Sequence, residues 1–161
     1  MTKLGVTGHQ RLPQPETWEW VSLELKALLG CASQPLTGIT SLAIGTDQLF
    51  ARSVLERNGT LEVVVPFDKY ETTFAETDRA EFERLFQLSS RTETLPRVGS
   101  DDECYLAAGR RVVDLSDMLI TVWDGEPARG RGGTADIVHY ALTRHMPLVH
   151  INPSTKVVLR R

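Results

Sequence analysis

The feature that most constrains the fold is an apolar strand followed by a glycine-rich turn and a helix. Residues 117–123 form a largely apolar run that ends at Asp124-Gly125, and the glycine-rich turn follows at 130–134. Apolar residues then recur at helical spacing, which predicts a helix over about 134–145. Backbone N–H groups at such a helix start approach an anion closely, and the helix dipole favours negative charge there. The turn is therefore predicted to hold a phosphate.

The same alternation of strand and helix runs along the whole chain. Strands are predicted at 3–7, 39–44, 61–65, 91–95, 117–123 and 148–151, with 156–161 as a tail or edge strand. Helices are predicted at about 15–29, from 46 to 58, after a loop at 66–74, at 101–115 and at 134–145. This order predicts right-handed crossovers and a doubly wound, mostly parallel sheet. The expected fold is thus a Rossmann-like, three-layer α/β/α domain that covers residues 1–161.

Composition and charge exclude several classes of function. The formal net charge of −3 disfavours a nucleic-acid-binding face, so no nucleic-acid partner is expected. No apolar run approaches the length that spans a bilayer, so no membrane partner is expected either. Cys31 and Cys104 lack metal-ligand spacing and are predicted to be free thiols, and no signal peptide is apparent, which indicates a cytoplasmic protein. Neither a metal nor a cofactor is expected.

Several loops follow predicted strand ends, where parallel sheets bind their ligands. The candidate ligand-binding residues in these loops are Gly8, His9, Arg11, Gly45, Thr46, Asp47, Asp124, Gly130, Arg131, Gly132, Gly133 and Thr134. Arg11 and Arg131 would contact an anion, and Asp47 would accept from a ribose hydroxyl. Each loop also has a plain structural interpretation, as a tight turn, a helix cap or a flexible surface loop.

Three further residues near the glycine turn are candidates for roles at the same site. Arg110, on the helix before the key strand, is a candidate for contact with the ligand. Asp124 and Asp136 are the carboxylates nearest the turn and are weak candidates for acid–base catalysis. Asp124 would otherwise cap a turn, and Asp136 would otherwise be an acid favoured by the helix dipole. Catalytic residues therefore stay unassigned.

Four segments in register resemble motifs of one group of proteins. They are GVTGHQR at 5–11, AIGTDQLFA at 43–51, the segment 114–125 that ends in WDG, and GRGGTAD at 130–136. These segments resemble a branch of the SLOG superfamily, Rossmann-like proteins related to the Lonely-guy phosphoribohydrolases and to the DprA/Smf proteins. The resemblance covers about residues 3–151. It implies a nucleotide-derived ligand, a phosphate on the 130–134 turn and a homo-oligomer.

The resemblance also separates two possible functions. In the Lonely-guy hydrolases and the related deoxyribosyltransferases, a functional glutamate follows the threonine of the turn by three positions. That position here is Ile137, and the nearest acid is Asp136. A shift of one residue turns a helical side chain by about 100°. We therefore expect a sensor or binding module, with an N-glycosidic hydrolase or transferase acting on nucleoside 5′-monophosphates as the alternative.

Overall fold

The structure, a computed structural model, describes residues 1–128 and 132–161. Within these ranges the strands are β1 Thr2–Gly8, β2 Leu36–Thr40, β3 Thr60–Val65, β4 Arg91–Thr94, β5 Met118–Val122, β6 Leu148–Asn152 and β7 Val157–Arg160. The α-helices in the same ranges are α1 Thr17–Gly30, α2 Thr46–Glu56, α3 Glu76–Gln87, α4 Asp101–Leu115 and α5 Thr134–Thr143. A short 3₁₀ helix, Tyr70–Thr73, lies between β3 and α3.

The described strands form one sheet in the order β4-β3-β2-β1-β5-β6-β7. Neighbouring strands are parallel except for β7, which runs antiparallel to β6. Strands β2 to β4 lie on one side of β1 and strands β5 to β7 on the other, so the sheet is doubly wound. Gly8 of β1 lies beside Val122 of β5. The ends of these two strands therefore form the topological switch point, where open α/β sheets bind ligands.

Helices cover both faces of the sheet. One core contains Phe50 of α2 and Leu85 of α3, together with Ile120 of β5. A second core contains Ile137 of α5, together with Leu119 of β5. Successive side chains of a strand point to opposite faces, so the adjacent residues of β5 enter different cores. The three-layer, doubly wound α/β/α fold predicted from the sequence is thereby confirmed.

Strand β2 does not lie where the sequence predicted it. The predicted span was 39–44, whereas the strand is Leu36–Thr40. Gly38 lies in its middle because a Cβ there would lie 2.8 Å from Val54 and 2.9 Å from Phe50 of α2. Glycine is needed for this close packing, and a strand glycine is easily mistaken for part of a loop. The apolar residues after Thr40 instead form an irregular loop, in which Leu42 has a φ of 56°.

The strand predicted at 91–95 is confirmed, and the C-terminal segment, predicted as a tail or an edge strand, is a strand. The segment predicted at 91–95 is β4, which lies at one edge of the sheet, and the C-terminal segment is β7, which lies at the other. Among the described residues, no helix combines the length and the apolar character needed to cross a membrane.

Candidate functional site

The carboxyl ends of the strands border a cleft of about 1190 Å³. This is ample for a ligand the size of a nucleotide. The predicted ligand-binding residues that line it are Gly8, His9, Arg11, Asp47, Asp124, Gly132, Gly133 and Thr134. Gly130 and Arg131 lie outside the described residues. The loops that were singled out by their position after strand ends thus meet at one place.

The loops after β1 and β2 are bonded to each other. Thr46 donates to the carbonyl oxygen of His9 from its backbone N–H at 3.2 Å and from its hydroxyl at 2.8 Å. A Cβ on Gly8 would lie 2.6 Å from the side chain of Thr46. Gly45, with a φ of 78°, lies against the backbone of Gln10. Gly45 and Thr46 therefore hold the loop after β1 in place, and neither is among the described residues that line the cleft.

The helices α2 and α5 begin close to the cleft and differ in how their first N–H groups are used. In α2, the N–H groups of Thr46 and Gln48 donate to backbone carbonyls of the loops after β1 and β2. In α5, the N-cap residue is Gly133, which has no side chain that could cap the helix. Within the described part of the chain, the N–H groups of Thr134 and Ala135 have no acceptor. Of the two helices, α5 is therefore the one whose first donors face the cleft.

Gly132 fixes the described end of the glycine turn. Its φ is 78°, and a Cβ there would lie 2.6 Å from the backbone nitrogen of Leu106 in α4. Its N–H donates to Oδ2 of Asp136 at 3.1 Å. Gly132 is thus held against α4 and against the first turn of α5, which positions Gly133 at the helix start.

Arg110 and Asp136 are placed away from the cleft. Both border a separate depression between α4 and α5, and neither is among the described residues that line the cleft. The guanidinium of Arg110 lies 5.2 Å from the ring centroid of Tyr140. The rotation of α4 about its own axis explains the placement of Arg110. The residues of α4 that face the cleft include Tyr105 and Gly109, which lie four apart on one face of the helix, and Arg110 is not on that face.

His9 and Asp124 face each other across the switch point. The backbone N–H of Asp124 donates to Nε2 of His9 at 3.0 Å, and the same Nε2 lies 3.3 Å from Oδ1 of Asp124. A ring nitrogen that accepts from a backbone N–H carries no proton, so the imidazole holds its proton on Nδ1. This bond joins the loops after β1 and β5 beside the cleft.

Asp47 is buried at the wall of the cleft. Its Oδ2 accepts from the hydroxyl of Thr40 at 2.9 Å and from the N–H of Ser41 at 3.1 Å. Burial raises the pKa of the Asp47 carboxyl to about 6, although these hydrogen bonds act to lower it. The carboxylate therefore fixes the irregular loop after β2.

No group of three or more His, Cys, Asp or Glu residues in the described ranges is arranged to hold a metal ion.

One wall of the cleft is aromatic, which sequence reasoning missed. Tyr70 and Phe74 line the cleft together with Tyr105 of α4. The ring centroids of Tyr70 and Phe74 are 5.0 Å apart, and those of Tyr70 and Tyr105 are 6.2 Å apart. The segment 66–74 has no periodicity and was predicted only as a loop. The sequence signal for this wall was the run of three aromatic residues that closely follows the end of β3, namely Phe67, Tyr70 and Phe74.

No family model and no curated protein sequence matches the chain. Its fold matches DNA processing protein A from Helicobacter pylori (TM-score 0.63, 17% identity) and from Streptococcus pneumoniae (0.67, 15%). It also matches the molybdenum cofactor carrier protein from Chlamydomonas reinhardtii (0.54, 16%). Each match covers 92% of this chain, and 64%, 50% and 75% of the respective structures. The chain thus spans between half and two thirds of the two DNA processing proteins.

These structures identify the class of fold. They share a Rossmann-like α/β fold with the described chain. The fold expected from the four sequence motifs is therefore confirmed.

The expectation that nucleic acid is excluded as a partner is wrong. The Helicobacter pylori protein, which has this fold, is reported with a single-stranded DNA binding mode. The expectation rested on the net charge of the whole chain, whereas phosphate backbones respond to charge at the contact surface. A chain with a formal net charge of −3 can still present cations locally.

Proposed function

We propose that the chain is a single-domain, cytoplasmic module that binds a nucleotide-derived small molecule, with the phosphate at the N-terminus of α5. The proposal rests on one observation. The first N–H groups of α5 border the switch-point cleft and have no acceptor among the described residues, whereas Thr46 and Gln48 of α2 donate to backbone carbonyls. A helix N-terminus carries the equivalent of roughly half a positive charge and directs its N–H groups at an anion.

Cations at the rim of the cleft support an anionic ligand. Arg11, in the loop after β1, and Lys156, in the turn between β6 and β7, both line the cleft and are exposed. Exposed cations around a concave site raise the local concentration of an anion and speed its association. Each can also add a charge-assisted hydrogen bond to a phosphate.

A binding role is favoured over N-glycosidic chemistry by the surroundings of Ile137. This residue occupies the position at which the resembled enzymes carry their glutamate, and it is 1% exposed. A Cβ on Gly109 of α4 would overlap its side chain, so the two residues are tightly packed. The nearest acid, Asp136, accepts from Gly132 and borders the other depression. An enzyme would have to rely on His9 and Asp124 instead.

The test is a titration of the wild type and two variants at the second residue of α5. Ala135→Asp places a carboxylate where the phosphate is proposed to lie, and Ala135→Asn has the same size without the charge. A unit charge about 4 Å from the phosphate contributes roughly 4 kcal/mol of repulsion at an effective dielectric constant of about 20. We therefore expect Ala135→Asp to lower the affinity for nucleoside 5′-monophosphates at least tenfold, and Ala135→Asn to change it much less. An acid in the first turn favours the helix, so folding is retained.

Three results would change the conclusion. Absence of binding to nucleoside monophosphates, ribose 5-phosphate and single-stranded oligonucleotides would overturn the proposal. Equal losses in the Asp and Asn variants would show that the effect is steric. Release of free base from a nucleoside monophosphate, abolished by Asp124→Asn, would establish the N-glycosidic alternative.

A further inference from the structure

The aromatic wall of the cleft is rigidly packed. The ring of Tyr70 lies edge-on to the rings of Phe67, Phe74 and Phe82, at centroid distances of 5.7, 5.0 and 5.6 Å. Tyr105 adds a fourth neighbour at 6.2 Å. Since Tyr70 is enclosed on several sides, its ring cannot turn away from the cleft without disturbing the core.

The hydroxyl of Tyr70 has no hydrogen-bond partner among the described residues, although the side chain lines the cleft and is only 5% exposed. Burial, with the nearby carboxylate of Asp47, raises the pKa of Tyr70 well above its ordinary value. The phenol therefore stays protonated and acts as a donor. A donor that the protein leaves without a partner at a cleft is available to an acceptor on a ligand.

Helix α4 connects this wall to the glycine turn. A Cβ on Gly132 would lie 3.0 Å from the carbonyl carbon of Tyr105 and 2.6 Å from the nitrogen of Leu106. The start of α5 and the ring of Tyr105 are therefore attached to the same turn of α4. A ligand with its phosphate at α5 has the aromatic wall next to it.

We propose that this wall, formed by Tyr70, Phe74 and Tyr105, receives the base of the ligand, with Oη of Tyr70 donating to an acceptor atom on the base edge. The proposal rests on the proposed function, because the phosphate fixes where the base lies. Stacking on Tyr105 tolerates any base, whereas the phenol requires a ring nitrogen or a carbonyl oxygen. The same base and phosphate can belong to a free nucleotide or to the terminal nucleotide of a single strand.

The experiment compares ligands with and without a base in calorimetric titrations. Nucleoside 5′-monophosphates are titrated beside ribose 5-phosphate, which keeps the phosphate and the sugar. We expect the nucleotides to bind about 5- to 100-fold more tightly than ribose 5-phosphate, since stacking of one base contributes about 1–3 kcal/mol. Tyr70→Phe removes only the hydroxyl, so nucleotide affinity is expected to fall by about 3- to 10-fold while that of ribose 5-phosphate stays unchanged.

Tyr140→Phe is the matched control. Its hydroxyl donates to Asp114 at 2.9 Å, away from the cleft, so no affinity should change. The melting temperature of Tyr70→Phe should stay close to that of the wild type, because the hydroxyl has no hydrogen-bond partner among the described residues. This measurement separates loss of a ligand contact from loss of folding.

Each remaining outcome decides the proposal. Equal affinity for nucleotides and ribose 5-phosphate, unchanged by Tyr70→Phe, would overturn the base site and leave the phosphate site standing. Absence of binding to either ligand and to a 5′-phosphorylated single strand would overturn the proposed function as well. A loss on Tyr70→Phe confined to the single strand would support the base site and identify the strand as the source of the base.

Discussion

The buried carboxyl of Asp47 should make the stability of the protein depend on pH in an unusual direction. Its folded-state pKa of about 6 lies above the ordinary value of 3.8 because burial outweighs the hydrogen bonds from Thr40 and Ser41. Most carboxylates that accept hydrogen bonds stabilise a fold as pH rises. Asp47 should do the opposite, because its ionised form is the one that folding disfavours.

The magnitude follows from the size of the shift. Each unit of pKa corresponds to about 1.4 kcal/mol, so a rise from 3.8 to about 6 corresponds to ~3 kcal/mol. Between these two values the folded state keeps a proton that the unfolded state has released. The free energy of unfolding therefore falls as pH rises through this window, and the whole contribution is lost above about pH 7.

The assay is urea unfolding of the wild type and of Asp47→Asn at several values between pH 4 and pH 8. Other titrating groups are common to both proteins, so the difference between their unfolding free energies isolates Asp47. As pH rises across this range, we expect the unfolding free energy of the wild type to fall by ~3 kcal/mol relative to that of Asp47→Asn. Thr40→Val, which removes a hydrogen bond to the ionised carboxylate, should extend the change to higher pH.

A flat difference between the two proteins across this range would refute the reasoning. It would mean that water reaches the carboxylate and that burial does not control its ionisation. A difference of the opposite sign would mean that the hydrogen bonds from Thr40 and Ser41 outweigh burial. Titration of the carboxyl carbon of Asp47 by NMR gives the folded-state pKa directly and distinguishes these cases.

Three glycine positions give further predictions, all measured by denaturant unfolding. Gly8→Ala should cost about 1–3 kcal/mol, because the new Cβ meets the side chain of Thr46 that fixes the loop after β1. Gly30→Ala, where the Cβ meets only the far end of a flexible arginine, should cost less than about 0.5 kcal/mol, and equal losses would contradict this account. Gly109→Ala should also cost about 1–3 kcal/mol, since its Cβ overlaps Cδ1 of Ile137. The cost should shrink in an Ile137→Val background, which lacks that atom, and a cost unchanged by the background would show that the contact is not responsible.

The order of strands and helices could be predicted from the sequence because it depends on local hydrophobic periodicity. The boundaries of β2 could not, because they depend on which helix crosses the strand. Gly38 resembles a loop residue until Phe50 and Val54 are known to pack on it. In the same way, the apolar residues after Thr40 resemble a strand, although they form a loop around the carboxylate of Asp47.

The location of the cleft could be predicted for a similar reason, whereas the residues that line it could not. Strand ends converge in any parallel sheet, so the residues after β1, β2 and β5 were expected to meet. Which of them face the cleft depends on the rotation of helices and loops, which turned Arg110 outward and Thr46 toward His9. Tyr70 was missed because an irregular segment has no period from which its orientation could be read.

The ligand can be inferred from the groups that the protein does not use for itself. Among the described residues around the cleft, the N-terminus of α2 is bonded to loop carbonyls, and Asp47 is occupied by its own loop. The donors left over include the first N–H groups of α5, the side chains of Arg11 and Lys156, and the hydroxyl of Tyr70. The ligand that we propose therefore carries an anion at one end and a neutral acceptor at the other. A sugar phosphate meets the first requirement alone, whereas a nucleotide meets both.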